Sequence, residues 1–116
     1  MTWTAMSDSE ILAIADPLMA TLMEGSRRID HAMHTRDFTD RLKKIVTPER
    51  LQDMCKDYQA RIGFFTEREF VALFRREKSV AVVWRQYSSK TSDEYVAEIV
   101  IVEQDGRYLV DHAMIF

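Results

Sequence analysis

The hydrophobic pattern of this chain changes period at Gly63, and it changes once. Before that glycine, apolar residues recur at three- and four-residue spacing. Ile11, Ala15, Leu18 and Leu22 form one stripe, and Leu51, Cys55, Tyr58 and Ile62 form another. Such spacing places side chains on one face of an α-helix. After Gly63 come four runs rich in β-branched and aromatic residues, the pattern of strands. No strand run is followed by a helical one, so parallel βαβ crossovers are excluded and an antiparallel meander is expected. The fold class is α+β: N-terminal helices, one long and two shorter, packed on a curved four-stranded antiparallel sheet.

Local signals set the expected boundaries. Ser7-Asp8-Ser9-Glu10 reads as a capping box, opening a long helix from about Asp8 to about His34. Pro17 either kinks that helix or marks a second start with Asp16 as its cap. Arg36-Asp37 is a break, after which Phe38, Leu42, Ile45 and Val46 suit a short second helix. Thr47-Pro48-Glu49 restarts with an N-cap threonine, a proline at the first helical position and an acid at the positive end of the dipole. Gly63 caps this third helix. The strands are expected over 64–75, 80–87, 95–103 and 107–116. Asp105-Gly106 predicts a type I′ hairpin between the last two. The whole chain, 1–116, is one domain: a tail over 1–7, a helical half over 8–63 and a sheet over 64–116.

Composition narrows the partners. With 116 residues, 47% hydrophobic and 30% charged, the chain can build one real core. A formal net charge of -3 argues against a life on nucleic-acid phosphates. The single cysteine, Cys55, excludes an internal disulfide and a thiolate zinc cluster. The start lacks a signal-peptide pattern, and no apolar run reaches the ~18 residues of a membrane helix. No membrane association and a cytoplasmic location are expected. No cofactor motif is present.

The hairpin register sorts the last two strands into faces. With Gln104 opposite Arg107, one face carries Tyr95, Ala97, Ile99 and Ile101 with Val110, His112 and Met114. The other carries Val96, Glu98, Val100 and Val102 with Leu109, Asp111, Ala113 and Ile115. Both faces are largely apolar, whereas a half-solvated sheet should alternate. Helices cover one face only, so a homodimer packed through the sheet is expected.

Three helices followed by four long strands resemble the nuclear transport factor 2-like superfamily, the SnoaL-like or ketosteroid-isomerase-like group of cystatin-like α+β folds, and in particular its bacterial domains of unknown function. The resembling stretch runs from Thr47-Pro48-Glu49-Arg50-Leu51 through Tyr58-Gln59-Ala60-Arg61-Ile62-Gly63 to Glu103-Gln104-Asp105-Gly106-Arg107-Tyr108. The resemblance implies a cone, with the sheet wrapped around the long helix and a cavity at the open end. It also implies pairing through sheets. Members include isomerases, dehydratases, cyclases and non-catalytic scaffolds, so the fold does not choose among functions.

The candidate chemistry is sparse. His112 is the one candidate base: on a cone-lining face it would serve near neutral pH, and otherwise it is a hydrogen-bonded core histidine. Asp111 and Glu98, expected as neighbours on the other face, either split their pKa values for acid/base work or pair with arginines such as Arg85. His31 and His34 share a helical face but lack a third ligand, so no metal is expected. Cys55 reads as a buried small hydrophobe. Tyr58, Trp84, Tyr95, Ile99, His112 and Met114 are the expected lining of a ligand pocket. No catalytic signature is present. The expectation is a dimeric cone-fold domain that binds a small apolar ligand. One alternative is an isomerase or dehydratase using His112 as base and Tyr58 or Tyr95 as donor. Another is a protein-interaction scaffold working through the outer sheet face.

Overall fold

The computed structural model describes residues 2–116. Four helices precede four strands: α1 (Asp8–Arg28), α2 (His31–His34), α3 (Asp40–Ile45), α4 (Pro48–Ile62), β1 (Phe65–Arg75), β2 (Val80–Ser88), β3 (Tyr95–Gln104) and β4 (Arg107–Ile115). The sheet is antiparallel in the order β1-β2-β3-β4, curved and unclosed. Of the expected tail, Met1 lies outside the described residues. The rest is tied down: Trp3–Ala5 forms a single 3-10 turn, and Trp3 is buried with its ring 5.4 Å from that of Tyr108.

α1 opens on the expected capping box, with Ser7 accepting from the Glu10 amide and Glu10 accepting from the Ser7 amide. Pro17 lies inside the helix and does not divide it. The helix ends sooner than expected. Ile29 takes a left-handed φ of 53°, Asp30 caps the next turn, and α2 folds back onto α1 instead of continuing it. Gly25 allows this return: a Cβ there would stand 2.4 Å from the His34 backbone nitrogen. α4 starts and stops as read, with Thr47 accepting from the Arg50 amide and Gly63 as C-cap.

The core lies between α1 and the concave face of the sheet. Ile11, Ala15, Met19 and Leu22 meet Val82, Ile99, Ile101 and Val110, all buried. Burying a side chain of this size stabilises by about 1.5–3 kcal/mol. Asp105 and Gly106 both have positive φ, 53° and 75°, as a type I′ turn requires. Beyond the turn, pairing runs as expected from Gln104↔Arg107 to Ile101↔Val110. There the register shifts. Asp111 is an extra residue, and Val100 pairs with His112.

This bulge corrects the expected faces of the chain's end. Ala113 and Ile115 turn inward opposite Ile99 and Ala97, while His112 and Met114 turn outward beside Val100 and Glu98. The physical cause lies on α3. Asp111 accepts from the Thr39 hydroxyl at 2.8 Å and from Arg41 Nε at 3.1 Å, which holds it out of the ladder. The segment around Phe38 also bridges to Val110 and covers this edge of β4.

Candidate functional site

A cavity of about 430 Å³ opens between α1, α2, α4, the start of β1 and the end of β4. Its walls are mostly alkyl and thioether carbon: Met19, Leu22, Leu51, Met54, Ala113 and Ile115. They face inward because the buried stripes of α1 and α4 converge here and because the Asp111 bulge turns Ala113 and Ile115 toward the helices.

Polar groups enter from the helices. On α1, Ser26 continues the buried stripe of Met19 and Leu22 and is itself buried. Its hydroxyl lies 2.8 Å from the Tyr58 hydroxyl and 3.4 Å from the Cys55 sulfur. Gln59 Nε2 donates to the Tyr58 oxygen at 3.3 Å. The Tyr58 ring stacks on Phe65, centroids 4.6 Å apart. Burial pushes the Cys55 thiol up, and bonds from Ser26 and Tyr58 only partly offset it. The thiol is therefore protonated at neutral pH and a poor nucleophile. Burial likewise raises the Tyr58 phenol, which remains a hydrogen-bond donor.

His34 also lines the cavity. Its Nδ1 donates to the Leu22 carbonyl at 2.7 Å, and its ring meets Phe38 edge-on. Burial holds its pKa below the usual histidine value, against the effect of the Leu22 bond. A neutral ring that donates from Nδ1 carries a bare lone pair on Nε2. His34 thus presents an acceptor or a base.

The residues expected from sequence are dispersed. Tyr58 lines the cavity, and Met114 borders it from the edge strand. Tyr95 stands one ring further off, edge-on to Phe65 at 6.4 Å. Trp84 and Ile99 are core residues. His112 is on the convex face, where its Nε2 donates to Glu98 Oε1 at 2.9 Å. The neighbouring carboxylates Asp111 and Glu98 are parted: Asp111 pairs with Arg41, Glu98 with His112, and Arg85 with Glu69 and Glu94. His31 donates to the Val46 carbonyl, away from His34's partner. Among the described residues, no three His, Cys, Asp or Glu side chains gather to hold a metal, and no helix is long and apolar enough to cross a membrane. Sequence reasoning missed Ser26, although a polar residue on an apolar stripe four positions after Leu22 was a usable signal. His34, weighed above for a metal, was not expected to line the cavity.

A helical layer laid against a curved, unclosed antiparallel sheet, with a cavity beside the first helix, is the cystatin-like α+β architecture of nuclear transport factor 2-like proteins, and this chain has that fold. Among solved structures it is similar to an NTF2-like protein of unknown function from Pseudomonas putida KT2440, at 12% identity and TM-score 0.58, over 93% of this chain and 87% of that one. It is also similar to a protein of unknown function with cystatin-like fold from Methylobium petroleophilum PM1, at 13% identity and TM-score 0.53, over 90% and 75%. A SEC-C motif containing protein from Rhodopseudomonas palustris matches at 9% identity and TM-score 0.55, over 89% of each chain. At these identities the likeness is one of fold. No family model matches the chain, and no curated protein does.

Proposed function

We propose that this domain binds a small, largely apolar molecule in the cavity and works as a homodimer through the convex face of its sheet. The cavity carries the first part. Its volume of about 430 Å³ falls in the range of small-molecule sites, which combine apolar walls with a few placed polar groups. Here those groups are the Ser26–Tyr58 hydroxyl pair and the His34 Nε2 acceptor. They suit a ligand with one or two polar atoms on an apolar frame. If the domain also catalyses a proton transfer, His34 is the base within reach of that ligand, because His112 is across the sheet.

The convex face supports the second part. Phe74, Val83, Val96, Val100, Leu109 and Met114 lie on it or at its edges, and Phe74 is 55% exposed. Exposed apolar side chains gathered on one face, here around the Glu98–His112 and Arg85 ion pairs, are a contact surface more often than a solvated one. A second copy satisfies it with the same residues twice, as two-fold symmetry demands.

Titration with the neutral fluorophore 1-aminoanthracene tests the ligand reading. Saturable binding at one site per chain is expected. Ala113→Phe, which fills the cavity from β4, should abolish it while the circular dichroism spectrum stays unchanged. Wild-type protein that does not bind, or a filled variant that binds equally, overturns the reading.

A further inference from the structure

Among the described residues, Arg68 is a cation without an ion-pair partner. It lies on β1 opposite Gln86 and turns to the concave side, where its guanidinium stands 5.8 Å from the centre of the Trp84 ring. The side chain is half-buried, and burial lowers its pKa, which is the mark of a charge held partly out of water. Among the described residues it makes no hydrogen bond and meets no carboxylate within 4.0 Å. Most arginines of the chain do meet one, as Arg41 meets Asp111 and Arg75 meets Asp8. Arg50 and Arg76 do not, but they are exposed. Asp16 on α1 acts on Arg68 only from beyond ion-pair distance.

Arg68 lines a recess of about 180 Å³ between α1 and β1. Met23, Tyr58 and Phe65 border both this recess and the apolar cavity. The stacked Tyr58–Phe65 pair therefore forms a border shared by an apolar chamber and a cationic one. Glu24 is also in the recess, but Arg27 and Arg28 both engage it, Arg28 at 2.7 Å.

Resting on the cavity reading above, we propose that the ligand is an amphipathic monocarboxylate, with its hydrocarbon part in the cavity and its carboxylate on Arg68. A half-buried charge is costly unless a counter-charge meets it, and a bound acid supplies that counter-charge. A guanidinium held over an indole keeps in-plane N–H donors, and their fork matches a planar carboxylate. A phosphate dianion fits less well, because the Asp16 charge already acts on Arg68 and repels a second negative charge.

Competition against 1-aminoanthracene with decanoate and with decan-1-ol tests this. Decanoate is expected to compete at least about tenfold better than the alcohol, the scale of one charge-assisted contact. Arg68→Met keeps an apolar stem over Trp84. It should erase that preference and leave the alcohol and the fluorophore within about twofold of wild type. Arg68→Lys retains the charge without the fork and should recover part of the preference. It also serves if the Met variant fails to fold. If decanoate competes equally in wild type and both variants, Arg68 is not its partner, and the cavity reading survives. If decanoate and decanol are indistinguishable in wild type, the ligand class is wrong. If the fluorophore itself does not bind, the cavity reading fails and takes this inference with it.

Discussion

Gly25 is a residue at which α2 passes close over α1. A methyl group added there would also lie 2.5 Å from His34 Cα, and that neighbour is backbone, which cannot swing aside. Gly25→Ala should therefore cost at least about 2 kcal/mol, in the upper range of overpacking. Urea unfolding measures it, and an unchanged midpoint would mean that α2 is not docked as described. His34 makes a second residue-scale prediction. Its folded pKa is lowered, chiefly by burial, so the unfolded chain takes up the proton more readily. Stability contributed by the neutral ring is full above the unfolded value of about 6.5 and declines as pH falls toward the lower folded value. The charge of His31 also lowers His34. His34→Gln can still donate to Leu22. In thermal melts from pH 7.5 to 5, wild type should lose more stability than this variant. Parallel losses would place the titration elsewhere.

At the scale of elements, the β3–β4 hairpin joins a well-encoded turn to a hidden irregularity. Asp111 binds Thr39 and Arg41 while Thr39 also caps α3, accepting from the Leu42 amide. Asp111→Ala should cost about 1 kcal/mol at neutral pH, a charge-assisted bond discounted for its exposure. Burial pushes the Asp111 carboxyl up, but the Thr39 and Arg41 bonds outweigh it and hold it below the usual range. The difference between wild type and variant should thus persist above the ordinary carboxylate pKa and vanish as acid takes pH through the lower folded value. A difference that survives strong acid would assign the effect to packing. The same hairpin explains what was legible in sequence. The capping box at Ser7, the Thr47-Pro48 start and the Asp105-Gly106 turn are local, and a local code can be read from neighbouring letters. The bulge depends on two residues of α3, about seventy positions away. Nothing around Asp111 announces it, so His112 and Met114 were read onto the wrong face. Arg68 was hidden likewise, behind irregularities in β1 on both sides of it. The break at Ile29 was missed because Gly25, the residue permitting the return, precedes the break.

For the molecule as a whole, the two faces of the sheet have separate tasks. The concave face packs against α1 and frames the cavity, and the convex face is the one proposed to pair. Val100 lies in the middle of that convex face, opposite both Ala81 and His112. Val100→Asp should leave the monomer fold intact, since the side chain points away from the core. It should convert a dimer into a monomer, with sedimentation velocity distinguishing the two. A wild-type protein that sediments as a monomer at high concentration would sink the dimer proposal. Unchanged association in the variant would move the interface off this face.

The extra residue at Asp111 also sets a phase. Alternation along a strand is a two-letter code, and one added letter inverts everything downstream of it. Drawing Asp111 back into regular pairing would carry His112 and Met114 to the concave face and send Ala113 and Ile115 outward, with no side chain of the strand substituted. A lineage carrying this fold can thus exchange an alkyl wall for an imidazole by losing the Thr39 and Arg41 contacts that hold Asp111 out of the ladder. The chemistry of such a chamber is then written in the register of its last strand as much as in its letters.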